Sequence, residues 1–384
     1  MKQCEEILMR LVGSEVFGTP LSMPAGTVIT DELLSRIFDL ARAHDVAPIV
    51  SSSLINNNLV FGSAFESAFR EQVYNAVLKS EKQSFVFEKI CSAFEKEKIP
   101  YIPLKGTVIK ELYPEPWMRT SCDIDILIHK EDLVRASKLL CDELDFVNQK
   151  DSSYDVAFVS KENVYLELHY TLVGRRKAEQ YGKILDRVWE YAEPENAGYR
   201  HKLKDEMFYF YHVAHMVKHF INGGCGIRTF VDLWLIELSK NYHTPELMSL
   251  LKDGGLLEFA EQSRNLCKVW FLQTEHNNTT RLMESYVLNG GTFGSEQTKT
   301  AVNKTKGELG FAFSRLFAPY NYLKEAYPVL KKYRFLLPVF QIVRIFSLLF
   351  GKRKKIRQKY IGDIRNMPDN KAAEIKTMFE NLKL

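Results

Sequence analysis

Cys122-Asp-Ile-Asp-Ile-Leu-Ile128 decides how the rest of the chain is read. Its side chains alternate between polar and apolar, the pattern of a half-buried β-strand. Asp123 and Asp125 then share one face, while Ile124, Ile126 and Ile128 point the other way into a core. Two carboxylates side by side repel each other. A cation between them removes that cost, and oxygen ligands suit Mg²⁺ or Mn²⁺. Mg²⁺ is commonly held by one or two carboxylates together with substrate phosphates, so the pair points toward phosphoryl chemistry. The plainer reading is a strand with a wet polar face, and the sequence on either side weighs against it.

Upstream, Tyr101-Ile-Pro-Leu104 is short and apolar, as a strand would be, and Lys105-Gly106-Thr107 reads as a turn. A short helix over 108–113 follows, closed by Pro114-Glu-Pro116. Gly106 lets backbone N–H groups approach a phosphate, the start of a helix favours an anion, and Lys105 adds a point charge. An ordinary strand–helix turn would look the same. Downstream, 131–145 reads as a helix, and 155–160 and 163–171 as two strands joined by Lys161-Glu-Asn163. In Val164-Tyr-Leu-Glu-Leu-His-Tyr170, Tyr165, Glu167 and His169 share a face. Glu167 lies 42 residues after Asp125. On an adjacent strand it becomes a third carboxylate, either a metal ligand or the base that deprotonates an acceptor hydroxyl. The order β, α, β, α, β, β therefore occupies 98–173.

The succession Leu104-Lys-Gly, Leu112-Tyr-Pro114, Arg119, Asp123-Ile-Asp-Ile-Leu and Leu166-Glu-Leu-His169 resembles the uncharacterised nucleotidyltransferase family. That family sits in the DNA polymerase beta-like superfamily, with kanamycin nucleotidyltransferase and the abortive-infection and toxin nucleotidyltransferases. The resemblance is specific over 98–172 and looser to about 240. It implies that Asp123 and Asp125 are the metal-binding D-x-D and that Glu167 is the third carboxylate, all three catalytic. Gly106 matches the glycine of the phosphate-contacting turn. The superfamily usually has Gly-Ser or Gly-Gly there, and here Lys105 and Thr107 flank the glycine, which leaves the turn's ligand open. Lys105, Gly106, Thr107, Arg119, His215 and Lys218 are the implied nucleotide contacts.

The implied reaction moves a nucleoside monophosphate from an NTP to an acceptor, with Mg²⁺ or Mn²⁺ as cofactor. The acceptor is a protein side chain, a tRNA end, a sugar or a small molecule, and no motif chooses among them. The rival readings are a non-catalytic nucleotide- or partner-binding module with the same fold, a toxin-type nucleotidyltransferase of a toxin–antitoxin pair, and an enzyme of cell-surface polysaccharide synthesis.

The flanks read as helices. Asp31–Arg42 carries apolar residues at helical spacing behind Thr30, a predicted N-cap. Helical spacing returns over 63–97, 205–221 and 230–239, with Asn222-Gly-Gly-Cys-Gly226 as a break between the last two. Residues 276–307 are polar and hold Gly290-Gly291, which predicts a mobile loop or a helix boundary. The expected fold is α+β: a small mixed-sheet nucleotidyltransferase core (98–175) between a helical N-terminal region (1–97) and a helical C-terminal region (176–384). His212, His215 and His219 lie close to one helix face. Without acidic or cysteine partners at suitable spacing they read as packing or nucleotide contacts rather than a zinc site. The looser part of the resemblance includes an acid at Asp232, and the plainer reading there is a solvated position on its helix.

Composition narrows the class. Of 384 residues, 46% are apolar and 26% charged, enough for a sizeable core and unlike a disordered chain. A net charge of +4 does not by itself argue for nucleic-acid binding. Six scattered cysteines with no CxxC pair fit a reduced, cytoplasmic chain. No secretory signal opens the sequence, and Phe335–Phe350 is too short and too interrupted for a transmembrane segment. Segment 333–360 joins an apolar run to a basic one, and from Lys331 to Lys359 there is no acid. Such a segment suits peripheral contact with an anionic membrane or RNA, or is simply a core helix with a charged tail.

Overall fold

The computed structural model describes residues 3–384 except 153, 173–179, 241, 243, 293, 296–297, 300–301, 303–319, 321–322, 324–326, 328 and 351–368. The chain begins with helices α1 (Gln3–Phe17), α2 (Asp31–Ala43), α3 (Ala47–Asn56) and the long α4 (Glu66–Lys96). The Thr30 side chain accepts from the Leu33 N–H and caps α2, as the sequence predicts.

Strand β1 (Tyr101–Pro103) and the one-turn helix α5 (Gly106–Ile109) follow, then β2 (Asp123–Ile128), α6 (Leu133–Glu143), β3 (Val147–Asp151), β4 (Asp155–Val159) and β5 (Tyr165–His169). The five strands make one mixed sheet in the order β1-β2-β5-β4-β3. β2 runs antiparallel to β1 and parallel to β5. The fold is α+β with helical flanks.

Strand β3 was not expected. Its side chains, Val-Asn-Gln-Lys-Asp, are all exposed, so no buried face leaves a period in the sequence. Backbone pairing with β4 holds it at the sheet edge, with a register shift between Asn148 and Lys150. A two-stranded hairpin of β6 (Ala192–Pro194) and β7 (His201–Leu203), preceded by α7 (Gln180–Leu185), also stands in a stretch read as helical.

The back of the sheet is apolar. Ile124, Ile126, Ile128, Leu166, Leu168 and Phe158 pack against Val86, Ile90 and Phe94 of α4 and Ala136 and Leu140 of α6. A larger core gathers α1–α3 with the later helices α8 (Asp205–Phe220), α9 (Ile227–Ser239), α10 (Pro245–Asp253), α11 (Leu257–Leu272) and α12 (Asn278–Gly290). Ile102, Leu104 and Leu127 of the sheet region join it. Both ends of the chain thus pack around the sheet.

The predicted mobile loop over 276–307 is corrected for its first half. Residues 278–290 form α12, opened by a capping box of Asn277 and Thr280, with Met283, Tyr286 and Val287 buried. Gly290-Gly291 is the helix boundary, and 303–307 lie outside the described residues. So does the basic run 352–359. Among the described residues no helix is long and apolar enough to cross a membrane.

His44 sits at the seam between the helices from the two ends of the chain, fully buried, with its Nδ1 accepting from the Ile227 N–H at 3.4 Å. Burial lowers its pKa from 6.5 to about 4. Between those values the unfolded chain takes up a proton that the folded chain refuses, so stability falls as pH drops through that window. The loss reaches ~3 kcal/mol at roughly 1.4 kcal/mol per unit. Urea midpoints measured from pH 6.5 to 4 are expected to fall less steeply for His44→Asn than for the native chain.

Candidate active site

Parallel pairing sets Asp125 of β2 directly beside Glu167 of β5, and Asp123 beside Tyr165. One step further, β4 puts Asp155 opposite His169. The polar face of the sheet therefore carries Asp123, Asp125, Asp155, Glu167 and His169. Asp125 is only 3% exposed. Its Oδ1 accepts from Lys105 Nζ at 2.7 Å and lies 2.8 Å from His169 Nε2. His169 Nε2 is also 3.4 Å from Glu167 Oε2. Ligand atoms of Asp125, Glu167 and His169 all lie within 4.8 Å of one another. Asp123 stands at the mouth of this group, with its Oδ1 accepting from Ser121 Oγ at 3.2 Å.

The electrostatics match the geometry. Burial opposes ionisation of Asp125, but Lys105 and His169 outweigh it and hold the carboxyl well below the ordinary range. Burial pushes the Asp123 carboxyl up, and the charge of Asp125 adds to the shift. Burial works against the imidazolium of His169, yet its hydrogen bonds to Asp125 and Glu167 raise its pKa. Lys105 and His169 are the cationic partners that balance Asp125.

Lys105 heads the turn between β1 and α5 with φ 45° and ψ −119°, a left-handed conformation that costs a non-glycine residue about 1–3 kcal/mol. The bond from Lys105 to Asp125 gives that backbone its reason. Gly106 is a glycine for a different cause. A Cβ there would lie 2.1 Å from Arg119 Nη1 and 3.0 Å from its Cζ. The Thr107 N–H is donated to the Leu104 carbonyl, closing the turn at 3.2 Å.

Arg119 lies under this turn, with its side chain 8% exposed and its Nη2 donating to Asp232 Oδ2 of α9 at 3.0 Å. Tyr113 OH donates to Asp232 Oδ1 at 2.7 Å. Asp232 is 0% exposed, so the reading of a solvated helix position is wrong: it is the buried anchor of the turn. Beside it, Arg228 pairs with Asp45 at 2.6 Å and donates to the Thr120 carbonyl. The loop entering β2 is thereby tied to both helical ends of the chain.

α8 covers the site. The charges of Lys105, Asp125 and Glu167 all bear on Tyr211, His215 or Lys218. Burial, aided by Lys105, lowers the Lys218 pKa, and its Nζ lies 5.8 Å from the Tyr154 ring centroid. His215 and His219 face each other with Nε2 atoms 3.2 Å apart. His212 turns away to the Thr229 carbonyl at 3.1 Å, a packing role.

The structure thus brings together Asp123, Asp125, Glu167, Lys105, Gly106, His215 and Lys218, and sets Arg119 beneath the turn. Sequence reading overlooked His169 and Tyr211 as site residues. His169 had a signal, since it shares the face of Glu167; Tyr211 had none, because only packing aims it at Lys105.

The match to a nucleotidyltransferase family model supports a general nucleotidyltransferase role for this mixed sheet with carboxylates on one face. More narrowly, the chain belongs to the uncharacterised nucleotidyltransferase family, whose model matches residues 31–272, from α2 through α11. No curated protein and no solved structure matches the chain.

Breaking the buried pair by Asp232→Ala leaves Arg119 charged and unpaired, and is expected to cost about 3–5 kcal/mol in urea unfolding. The double change Arg119→Met with Asp232→Leu is expected to recover most of that loss. Gly106→Ala is expected to destabilise as well, because the guanidinium must move.

Proposed function

We propose that the protein transfers a nucleoside monophosphate from an NTP to an acceptor hydroxyl, with Mg²⁺ or Mn²⁺ held by Asp123, Asp125 and Glu167. The observation that carries the proposal is the register of β2 against β5, which sets Asp125 and Glu167 side by side on one face. The donor set fits a divalent ion. Ligand atoms of Asp125, Glu167 and His169 lie within 4.8 Å of one another, and Asp123 stands on the same face at the mouth of that group. The imidazole of His169 favours Mn²⁺ more than an all-oxygen set would. When bound, the ion supplies Lewis-acid polarisation of the transferring phosphoryl group.

The chain's own residues take the remaining roles. Glu167, at 36% side-chain exposure, is far more open than Asp125 and is the carboxylate that can meet an acceptor hydroxyl. Lys105 and Lys218 offer positive charge to the triphosphate, with His215 beside Lys218 on α8. Gly106 and Thr107 shape the turn under the phosphates, and Arg119 acts through that turn by holding it against Asp232.

A second reading has one observation in its favour. Lys105 pairs with Asp125 at 2.7 Å, a neutralisation that a non-catalytic nucleotide-binding module would keep. Isothermal titration separates the two. Each NTP is titrated with and without Mg²⁺ into the native protein and into the Asp123→Asn/Asp125→Asn variant. The catalytic reading expects Mg²⁺-dependent binding that weakens at least about tenfold in the variant, ~1.4 kcal/mol. NTP binding that ignores both Mg²⁺ and the substitutions would overturn it in favour of the module.

A further inference from the structure

Beyond the two main cores lies a small third one. Leu323 and Leu330 are fully buried there, packed by Tyr320, Tyr327, Leu336, Leu337 and Phe340. The last three belong to a single-turn segment (Arg334–Leu336) and to the helix Leu337–Phe350 that continues from it. The same stretch carries a second apolar face. Phe335 is 76% exposed, Val339 52%, Ile342 56% and Val343 45%. Val339, Ile342 and Val343, spaced three and one apart, lie on one side of the helix, with Leu337 and Phe340 toward the other and Phe335 in the turn that leads into it. One apolar face is therefore used by the protein and the opposite one is left to the solvent. Clustered exposed residues of this size mark an interaction surface, whereas single ones do not.

The charge around the face identifies its partner. Lys332 and Arg334 flank its start, and between Lys331 and Lys359 the sequence holds no acid to repel an anion. Bare aliphatic side chains framed by cations suit a layer that is anionic outside and apolar beneath. RNA would call instead for flat rings to stack its bases, and three of the four residues here are aliphatic or branched. Among the described residues no helix is long and apolar enough to cross a bilayer, so the face suits one along which it lies.

We infer that Phe335, Val339, Ile342 and Val343 form a docking face for an anionic lipid surface. It holds the nucleotidyltransferase domain against a membrane without spanning it. This inference does not rest on the proposed chemistry.

Co-sedimentation of the full chain with phosphatidylserine–phosphatidylcholine vesicles and with pure phosphatidylcholine vesicles tests it. The native protein is expected to bind the anionic vesicles at least about tenfold more strongly, and to weaken as salt rises. Val339→Asp/Ile342→Asp is expected to lose that binding about tenfold or more. Both positions face solvent, so the fold should persist, and an unchanged thermal melt confirms this. Lys332→Glu/Arg334→Glu, which leaves the apolar face intact, is expected to weaken binding to anionic vesicles alone. No binding at low salt overturns the inference. So does binding that the aspartate pair leaves unchanged, binding to single-stranded RNA in place of vesicles, or a dimer that the aspartate pair dissolves without any lipid binding.

Discussion

Negative charge confined to one face of a small sheet is the constraint around which this protein is arranged. Asp125 and Glu167 stand opposite each other on neighbouring parallel strands, with Asp123 and Asp155 close by. Carboxylates at that spacing cannot all stay ionised without cations. Lys105 is drawn into a left-handed backbone to reach Asp125, His169 is driven toward its protonated form, and Lys218 is held on α8 above them. Structural strain and local charge both follow from placing acids where water is scarce, as expected where a site is built for an ionic ligand.

The helices act on the site through its entrance. The loop before β2 carries Arg119, Thr120 and Ser121, the first two held from α9 and the third from α4. Arg119 is bound by Asp232 of α9, the Thr120 carbonyl by Arg228, and the Ser121 carbonyl by Gln83 of α4 at 3.2 Å. Arg228 in turn pairs with Asp45, between α2 and α3. A short loop fixed by side chains from both ends of the chain delivers Asp123 and Asp125 in one orientation. Such preorganisation lets carboxylates meet a charged ligand without first reordering themselves.

Much of this was legible beforehand. The alternation of Cys122–Ile128 revealed both the strand and its acidic face, because one apolar and one polar face impress a period on the sequence. The cap of α2 and the helical spacings of α2, α8 and α9 were equally plain. Strand β3 was not, since an edge strand with only exposed side chains is specified by backbone pairing. Asp232 was misread for a related reason. An acid on a helix looks the same in sequence whether it meets water or a buried arginine 113 residues away.

The sequence by itself determined the local facts: which segments alternate, where helices start, and that Asp123, Asp125 and Glu167 lie on polar faces of strands. Those follow from the geometry of neighbouring residues along one backbone. Only the tertiary structure decided that β2 and β5 are adjacent and parallel, and that Lys105 satisfies Asp125. It also set His169 against Asp125 and Glu167, and packed Leu337 and Phe340 on Leu323 and Leu330 while Val339, Ile342 and Val343 stayed exposed. These depend on which surfaces meet when the chain packs, and the desolvation and charge pairing that select them act between residues far apart in sequence.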